Sequence, residues 1–278
     1  MAKIDLLTIA GGTASWADIE SRIAGLPSEQ DRGEAFEEFY KAFFILDPVF
    51  QFKNVFRHNE IPLSLRQRLG YPGTQDIGID GLCVTLEDKL YAYQAKFRSD
   101  RTNTPTLREL STFFTVSDRA DWRITIANAN SLPVAINDRT NQSRILSDRL
   151  DQLEPEFFDR LRVYLKEQYV KPPKIKPPHK TQLEAIDAAL SYFKGNDRGQ
   201  LILPCGTGKT LASMWIAEKL GGPRILVMVP SLSLMKQTLR EWAANTSVRP
   251  FRYLCLCRRL SGDPEIQGRK CWQSECSS

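Results

Sequence analysis

Hydrophobic residues recur at helical spacing in the segment between Ser28 and Pro48. The aromatic residues of this segment follow the i, i+3, i+4, i+7, i+8 spacing of one helix face, while acidic residues fall off that face. The pattern predicts an amphipathic helix that ends before Pro48. We assign the aromatic face to a hydrophobic core; its members are Phe36, Phe39, Tyr40, Phe43 and Phe44.

Residues typical of β-strands then form two runs, 76–86 and 90–97, which flank the polar residues 87–89. This arrangement predicts an antiparallel hairpin. The pattern next predicts a polar helix, a further strand and a helical region interrupted near Pro155, over residues 105–116, 122–127 and 146–168. An order of helix, strands, helix and strand is typical of an α/β sandwich with a mixed sheet.

A linker follows, because four prolines lie between Lys171 and Lys180 and disfavour both helix and sheet. Beyond it, helices and buried strands alternate as a βαβ unit. The predicted helices cover 181–193, 210–220 and 232–244, and the predicted strands cover 200–203 and 224–229. The resulting segments are a helical extension at 1–27, a first domain at 28–168, a linker at 169–180, a partial second domain at 181–254 and an irregular tail at 255–278.

Composition agrees with two globular domains, since the chain has 278 residues, of which 42% are hydrophobic and 26% charged. No apolar run is long enough for a membrane span, and Asp5 interrupts the apolar start of the chain. We therefore expect a cytoplasmic protein without a membrane partner. The formal net charge of +5 permits a polyanionic partner without requiring one.

Polar residues that could take part in catalysis or metal binding lie on the first predicted helix and on the hairpin. Glu37 is on the helix, Asp76 and Asp80 precede the turn, and Gln94 and Lys96 share one face of the next strand because they are two residues apart. If residues 87–89 form a three-residue loop, Asp80 lies opposite Lys96. A two-residue loop would turn Asp80 to the other face.

Such a cluster suits phosphodiester hydrolysis with Mg²⁺ or Mn²⁺. The Asp80 carboxylate, the Gln94 amide oxygen and the Ala95 carbonyl are hard oxygen ligands, and Glu37 could contact the metal directly or through water. Lys96 would orient the attacking water or stabilise charge on the phosphate. The alternative is structural, with Asp80 capping a hairpin bend and Lys96 solvated.

Residues 204–210 read Pro-Cys-Gly-Thr-Gly-Lys-Thr, between a predicted strand and a predicted helix, as a phosphate-binding loop requires. The glycines let backbone N–H groups face phosphate oxygens, the lysine reaches the terminal phosphates, and the threonine would bind Mg²⁺. A glycine turn without a ligand is the alternative. The sequence therefore predicts ATP binding by Cys205, Gly206, Thr207, Gly208, Lys209 and Thr210.

These motifs resemble two known families. The segments at 33–37, 78–81 and 94–96 are similar, in order, to the motifs of Mrr-like PD-(D/E)xK restriction endonucleases, in which glutamine replaces the acidic residue before the lysine. The loop at 204–210 resembles motif I of superfamily 2 helicases and translocases. Residues 179–186 and 229–237 resemble the glutamine motif and motif Ia of that family, so Gln182 would read the adenine edge. The resemblance implies that residues 181–254 form part of a RecA-like ATPase lobe.

The two resemblances imply the beginning of an ATP-dependent restriction enzyme that acts on double-stranded DNA in bacterial or archaeal defence. We expect a Mg²⁺-dependent endonuclease of the type II or type I kind, working as a homodimer or in a larger restriction complex. The acidic motif and the arginine finger of a working motor are absent from the sequence, so we expect weak nucleotide binding without ATP hydrolysis at helicase rates. The alternative function is a DNA-binding or regulatory module that is inactive without further motor and recognition domains.

The sequence leaves two interpretations for each of three further features. Arg98, Arg101 and Arg108 could grip phosphates or be solvated. Asp76 is as compatible with a turn as with metal contact. The tail at 255–278 reads either as a truncated or frameshifted end or as a zinc knuckle formed by Cys255, Cys257, Cys271 and Cys276, although their spacing matches structural zinc sites poorly.

Overall fold

The structure is a computed structural model that describes residues 5–71, 73, 78–137, 139–170, 175–248, 251–255 and 272–273. These residues divide into two compact units, the first ending at residue 170 and the second beginning at residue 175. The chain has an α/β fold, as predicted. None of the helices in the described ranges has the length and apolar character needed to cross a bilayer.

The first unit is built on a five-stranded mixed sheet in the order β1-β2-β3-β4-β5. Strand β2 runs antiparallel to both β1 and β3, whereas β4 runs parallel to β3 and β5 runs parallel to β4. The strands are β1 (Phe52–Arg57), β2 (Gly81–Thr85), β3 (Leu90–Lys96), β4 (Trp122–Ala127) and β5 (Gln142–Ile145).

Helices cover both faces of this sheet. They are α1 (Leu6–Ala10), α2 (Trp16–Ala24), α3 (Glu29–Leu46), α4 (Leu63–Arg68), α5 (Leu107–Val116), α6 (Val134–Asn137), α7 (Ser147–Leu150) and α8 (Pro155–Glu167), with a 3-10 turn at His58–Glu60. The sequence pattern predicted α3, α5 and α8 together with β2, β3 and β4. It did not predict β1 or β5, which are the two edge strands of the sheet and contain polar residues.

Helix α3 begins where the sequence supplies a cap, because the Ser28 side chain accepts a hydrogen bond from the backbone N–H of Asp31. Its aromatic face is fully buried, as predicted, and the ring of Phe36 lies 5.4 Å from that of Phe97 just after β3. Packing of Phe44 against Tyr93, with 5.3 Å between ring centroids, holds α3 across the sheet. This packing fixes the position of Glu37 relative to the strands.

Helix α5 covers the opposite face of the sheet. Leu110 and Phe113 of α5 join a buried cluster with Leu82 of β2 and Ala92 of β3. The helix starts with a reciprocal cap in which Thr106 and Glu109 bond each other's backbone N–H groups. The even-numbered residues of β2 and β3 therefore face α5, and the odd-numbered residues face α3.

The second unit contains the helices α9 (Lys180–Tyr192), α10 (Lys209–Leu220) and α11 (Leu232–Asn245), with a short pairing between β6 (Leu254–Cys255) and β7 (Trp272–Gln273). All three predicted helices are present. The segments 200–203 and 224–229, predicted as strands, are described but are not paired as strands. The predicted βαβ order is thus present as helices joined by unpaired apolar segments.

These apolar segments are exposed, with Ile202 at 80%, Leu226 at 84% and Met228 at 85% of full exposure. Residues of this type on both faces are typical of central parallel strands, which need neighbouring strands to pair with. No such neighbour lies among the described residues of the second unit. The absence of pairing partners explains why strand-forming sequence did not form strands here.

Candidate functional site

Asp80 lies immediately before β2 and is tied to the sheet by hydrogen bonds of its backbone and its side chain. Its backbone N–H donates to the Tyr93 carbonyl at 3.1 Å, and its own carbonyl accepts from the His58 N–H at 2.8 Å. Its Oδ2 atom accepts from the Ala95 N–H at 2.7 Å. The carboxylate is therefore held against β3, beside Ala95 and Gln94.

The hairpin register differs by one step from the predicted one. The Thr85 N–H donates to the Lys89 carbonyl, so the three-residue loop is 86–88 instead of 87–89. Asp88 closes it with a positive φ of 60°, a conformation that Asp tolerates better than most residues. Gly81 pairs with Tyr93, which places Asp80 beside Gln94 and not opposite Lys96. The residue opposite Asp80 is thus two positions earlier on β3 than predicted. Because side chains two residues apart point to the same side of a strand, Asp80, Gln94 and Lys96 still share one face.

Gln94 is almost completely buried, at 3% exposure, although its side chain is polar. Its Nε2 donates to the Gly78 carbonyl at 3.3 Å. Its Oε1 has no hydrogen-bond partner among the described residues. A buried acceptor without a partner is energetically costly, so this oxygen is available to a ligand.

Glu37 reaches the same region from α3. Its Oε2 lies 3.2 Å from Nη2 of Arg57, and both side chains are about one-fifth exposed, at 23% and 21% respectively. Burial, followed by the charge of Asp80, raises the pKa of Glu37 to about 7, while Arg57 and Lys96 act in the opposite direction. Glu37, Asp80 and Lys96 are thus close enough to interact electrostatically.

Arg57 was not among the predicted site residues. It ends β1, where it is placed beside Gly81 in the register and points to the α3 face. The run Phe-Lys-Asn-Val-Phe-Arg contains strand-forming residues that could have indicated β1, but nothing in the sequence pairs Arg57 with Glu37.

The residues present fit a divalent cation. Two carboxylates, the amide oxygen of Gln94 and the Ala95 carbonyl are oxygen donors of the kind that Mg²⁺ prefers, and the amide oxygen lacks another partner. Across the described ranges, no group of three His, Cys, Asp or Glu side chains is arranged to hold a metal. The candidate site therefore depends on the neutral amide and carbonyl oxygens as well as on Glu37 and Asp80. Asp76 lies outside the described residues.

Replacing Glu37 by glutamine should stabilise the metal-free protein at pH 8 but not at pH 4.5. The pKa of Glu37 is about 7 in the folded state against 4.5 for the ordinary group, so the folded state binds the extra proton and loses stability as the pH rises through this range. Glutamine mimics the neutral acid, and we expect a gain on the order of 2–3 kcal/mol above pH 7. Urea denaturation in chelator at both pH values measures it.

The control for this experiment is Glu34→Gln, one turn earlier on α3, where the carboxylate accepts a bond from Gln30. That variant should show no comparable gain at pH 8. Equal stability of wild type and Glu37→Gln at pH 8 would contradict the placement of Glu37 in a charge-disfavouring environment.

Two of the three basic residues predicted near the site pair with carboxylates. Arg98 pairs with Glu109 at 2.6 Å. Arg101 contacts both Glu20 and Asp151, at 2.5 and 2.7 Å. Arg98 and Arg101 therefore form ion pairs within the first unit, and their role toward phosphates stays a prediction. Arg108 is exposed on α5.

The predicted phosphate-binding loop precedes α10. Gly206 and Gly208 have φ values of 79° and 73°, in the left-handed region that glycine adopts without strain. Gly208 is the N-cap of α10, so Lys209 and Thr210 form its first turn and Cys205 is exposed before it. The side chain of Thr207 donates to the Pro204 carbonyl at 2.8 Å and closes the turn. The loop thus presents a helix N-terminus that can bind an anion.

Gln182 contacts this loop directly. Its Nε2 donates to the Thr207 carbonyl at 2.8 Å, and its Oε1 accepts from the His179 N–H at 2.8 Å. The side chain is buried and both ends of its amide are occupied by backbone groups. In this structure Gln182 therefore supports the loop; its role in reading adenine stays a prediction.

Helix α10 is anchored on its far side by α11. The Trp242 indole N–H donates to the Thr210 carbonyl at 2.9 Å. Trp242 also packs in a small cluster with Leu211 and Met214. The first turn of α10 is thereby fixed from both sides, by Gln182 and by Trp242.

Of the predicted tail at 255–278, the structure describes residues 255, 272 and 273. Cys255 is partly buried in β6. The other cysteines of the zinc alternative, Cys257, Cys271 and Cys276, lie outside the described residues. Neither reading of the tail is tested by the structure.

Comparison with known proteins relates the chain to restriction enzymes. Residues 175–270 match the family described as the type III restriction enzyme, res subunit. Among solved structures, the chain is similar to the "ATP-dependent Type ISP restriction-modification enzyme LlaBIII bound to DNA", at 25% identity and a TM-score of 0.60. The similarity covers 84% of this chain and 15% of that one. Among curated proteins, none matches the chain significantly.

The superfamily 2 resemblance of the second unit agrees with the first of these matches. The solved structure extends the likeness to most of the chain, although this chain spans only 15% of its length. The Mrr-like assignment of residues 28–168 stays a prediction.

Proposed function

We propose that the first unit is a Mg²⁺-dependent DNA endonuclease and that the second unit is part of the ATP-binding motor of a restriction system. The observation that carries the nuclease proposal is the buried oxygen of Gln94, which lacks a partner beside the Asp80 carboxylate held by the Ala95 N–H. Glu37 and Lys96 support it, since Glu37 interacts electrostatically with both Asp80 and Lys96. The ATP-binding part is supported by the loop geometry at 204–210 and by the match of residues 175–270 to a restriction-enzyme family.

Asp80, Gln94 and the Ala95 carbonyl would hold the cation, with Glu37 contacting it directly or through water. When bound, Mg²⁺ supplies a Lewis acid that polarises phosphate oxygens and activates water. The Lys96 ammonium group stabilises the negative charge that develops on the phosphate, since it stands on the same strand face as Gln94. The hydrogen bond from Ala95 N–H fixes the Asp80 carboxylate in a single orientation beside β3.

DNA is the proposed substrate and partner, because the chain resembles nucleases and the similar solved enzyme is described as bound to DNA. One cluster of this kind cuts one strand. Cleavage of both strands then requires two copies of the site, through a homodimer or a larger restriction complex.

The purified chain should nick supercoiled plasmid in Mg²⁺ or Mn²⁺ and lose this activity in chelator. Nicking should not depend on ATP, because the four predicted metal-site residues all lie in the first unit. Conversion of supercoiled to open-circular DNA on agarose gels measures it. Binding of DNA in chelator without cleavage in either metal would favour the alternative, a DNA-binding or regulatory module that needs further domains.

A further inference from the structure

Two buried side-chain oxygens without partners lie next to each other in the sheet. Gln94 Oε1 and Thr125 Oγ1 both lack a hydrogen-bond partner among the described residues. Gln94 is 3% exposed and Thr125 is fully buried. In the parallel pairing of β3 with β4, Gln94 is the register partner of Thr125, so their side chains are neighbours on one face.

That face is the one covered by α5. Ala127, two residues after Thr125, belongs to the buried cluster that includes Phe113 of α5. Arg123, two residues before Thr125, donates through Nε to the Ser117 hydroxyl at the end of α5. Gln94 of β3 and Thr125 of β4 thus carry neighbouring oxygen atoms, and Asp80 precedes β2 on the other side of β3.

The amide of Gln94 is oriented within this row. Its nitrogen donates to the Gly78 carbonyl, which directs the oxygen away from Gly78. A valine at position 125 would fill nearly the same volume without burying an unpaired hydroxyl. Two unpaired oxygens side by side are therefore best explained by a ligand that both contact.

We infer that Thr125 is a further residue of the divalent-cation site, where its hydroxyl would hold a water molecule of the cation's shell beside the cation ligand Gln94 Oε1. This inference rests on the nuclease function proposed above. It assigns Thr125 a positioning role toward the cation, comparable to outer-shell partners whose loss lowers metal affinity by about 10–100-fold.

The test compares Mn²⁺ affinity of the full chain, by titration calorimetry without nucleotide, among variants at position 125. Ser and Ala both remove the methyl group and differ only in the hydroxyl. Thr125→Ser should bind Mn²⁺ about tenfold more tightly than Thr125→Ala. Thr125→Val should lose affinity like Thr125→Ala, while its melting temperature in chelator stays equal to that of wild type or rises.

Equal Mn²⁺ affinity in the Ser and Ala variants would overturn the inference. The same holds if Thr125→Val melts higher than wild type in chelator and still binds Mn²⁺ normally. The Asp80→Asn variant separates this failure from that of the proposed function. Mn²⁺ binding that Asp80→Asn removes but position 125 does not affect would overturn the Thr125 role alone, whereas no Mn²⁺ binding in wild type would overturn both.

Discussion

Replacement of Lys96 by alanine is expected to lower the rate of metal-dependent plasmid nicking by at least about a hundredfold, with the first unit still folded. Lys96 ends β3 and is only partly buried, so its loss removes little packing. Its ammonium group lies close enough to Glu37 to lower the pKa of that carboxyl, which places a positive charge beside the candidate metal ligands. Gel-based nicking rates in Mg²⁺ and Mn²⁺ measure the effect.

Lys166→Ala is the matched control, because Lys166 is an exposed lysine on α8 of the same unit. It should nick like wild type. Circular dichroism should show the same helix and strand content for both variants. An unchanged nicking rate in Lys96→Ala would refute the assigned site, whatever the behaviour of the second unit.

Replacement of Gly208 by alanine is expected to weaken ATP binding by at least about a hundredfold. A Cβ atom at this position would lie 2.4 Å from Gln182 Nε2, and the backbone has a φ of +73° that alanine adopts only with strain. The Gln182 side chain is buried and bonded at both ends, so it cannot move aside easily. Titration of the full chain with a fluorescent ATP analogue measures the affinity.

Alanine substitutions at two further glycines distinguish the effect of backbone strain from that of the steric conflict with Gln182. Gly206 also has a positive φ, of +79°, but no atom within 4 Å of an added Cβ, so Gly206→Ala should weaken binding by only about tenfold. Gly195 has neither feature and should tolerate alanine without effect. ATP affinity in Gly208→Ala as high as in Gly195→Ala would contradict the assignment of this loop.

The sequence indicated the helices and the hairpin because their signals are local. The aromatic spacing of α3 depends only on residues within one helix. Asp80, Gln94 and Lys96 lie on one strand face, as predicted, although the loop was placed one position too late. The error itself came from Asp88, whose positive φ lets the turn close one residue earlier than polarity alone suggests.

Features that depend on distant partners were not predictable in the same way. Arg57 meets Glu37 across 20 positions of the chain, and no local pattern marks that pair. Thr125 is indistinguishable in sequence from a β-forming residue of an apolar strand. The segments 200–203 and 224–229 have strand propensity but are not paired as strands, since that propensity is realised only when neighbouring strands are present to pair with.

The pairing of Arg98 and Arg101 with internal carboxylates has a consequence for how the chain would hold DNA. Arginines bound to Glu109, Glu20 and Asp151 displace no counterions from a phosphate backbone unless those ion pairs break. Each phosphate that a protein neutralises adds about 0.9 to the slope of log affinity against log salt concentration. Arg98 and Arg101 should therefore add little to the salt dependence of DNA binding as long as these ion pairs stay formed.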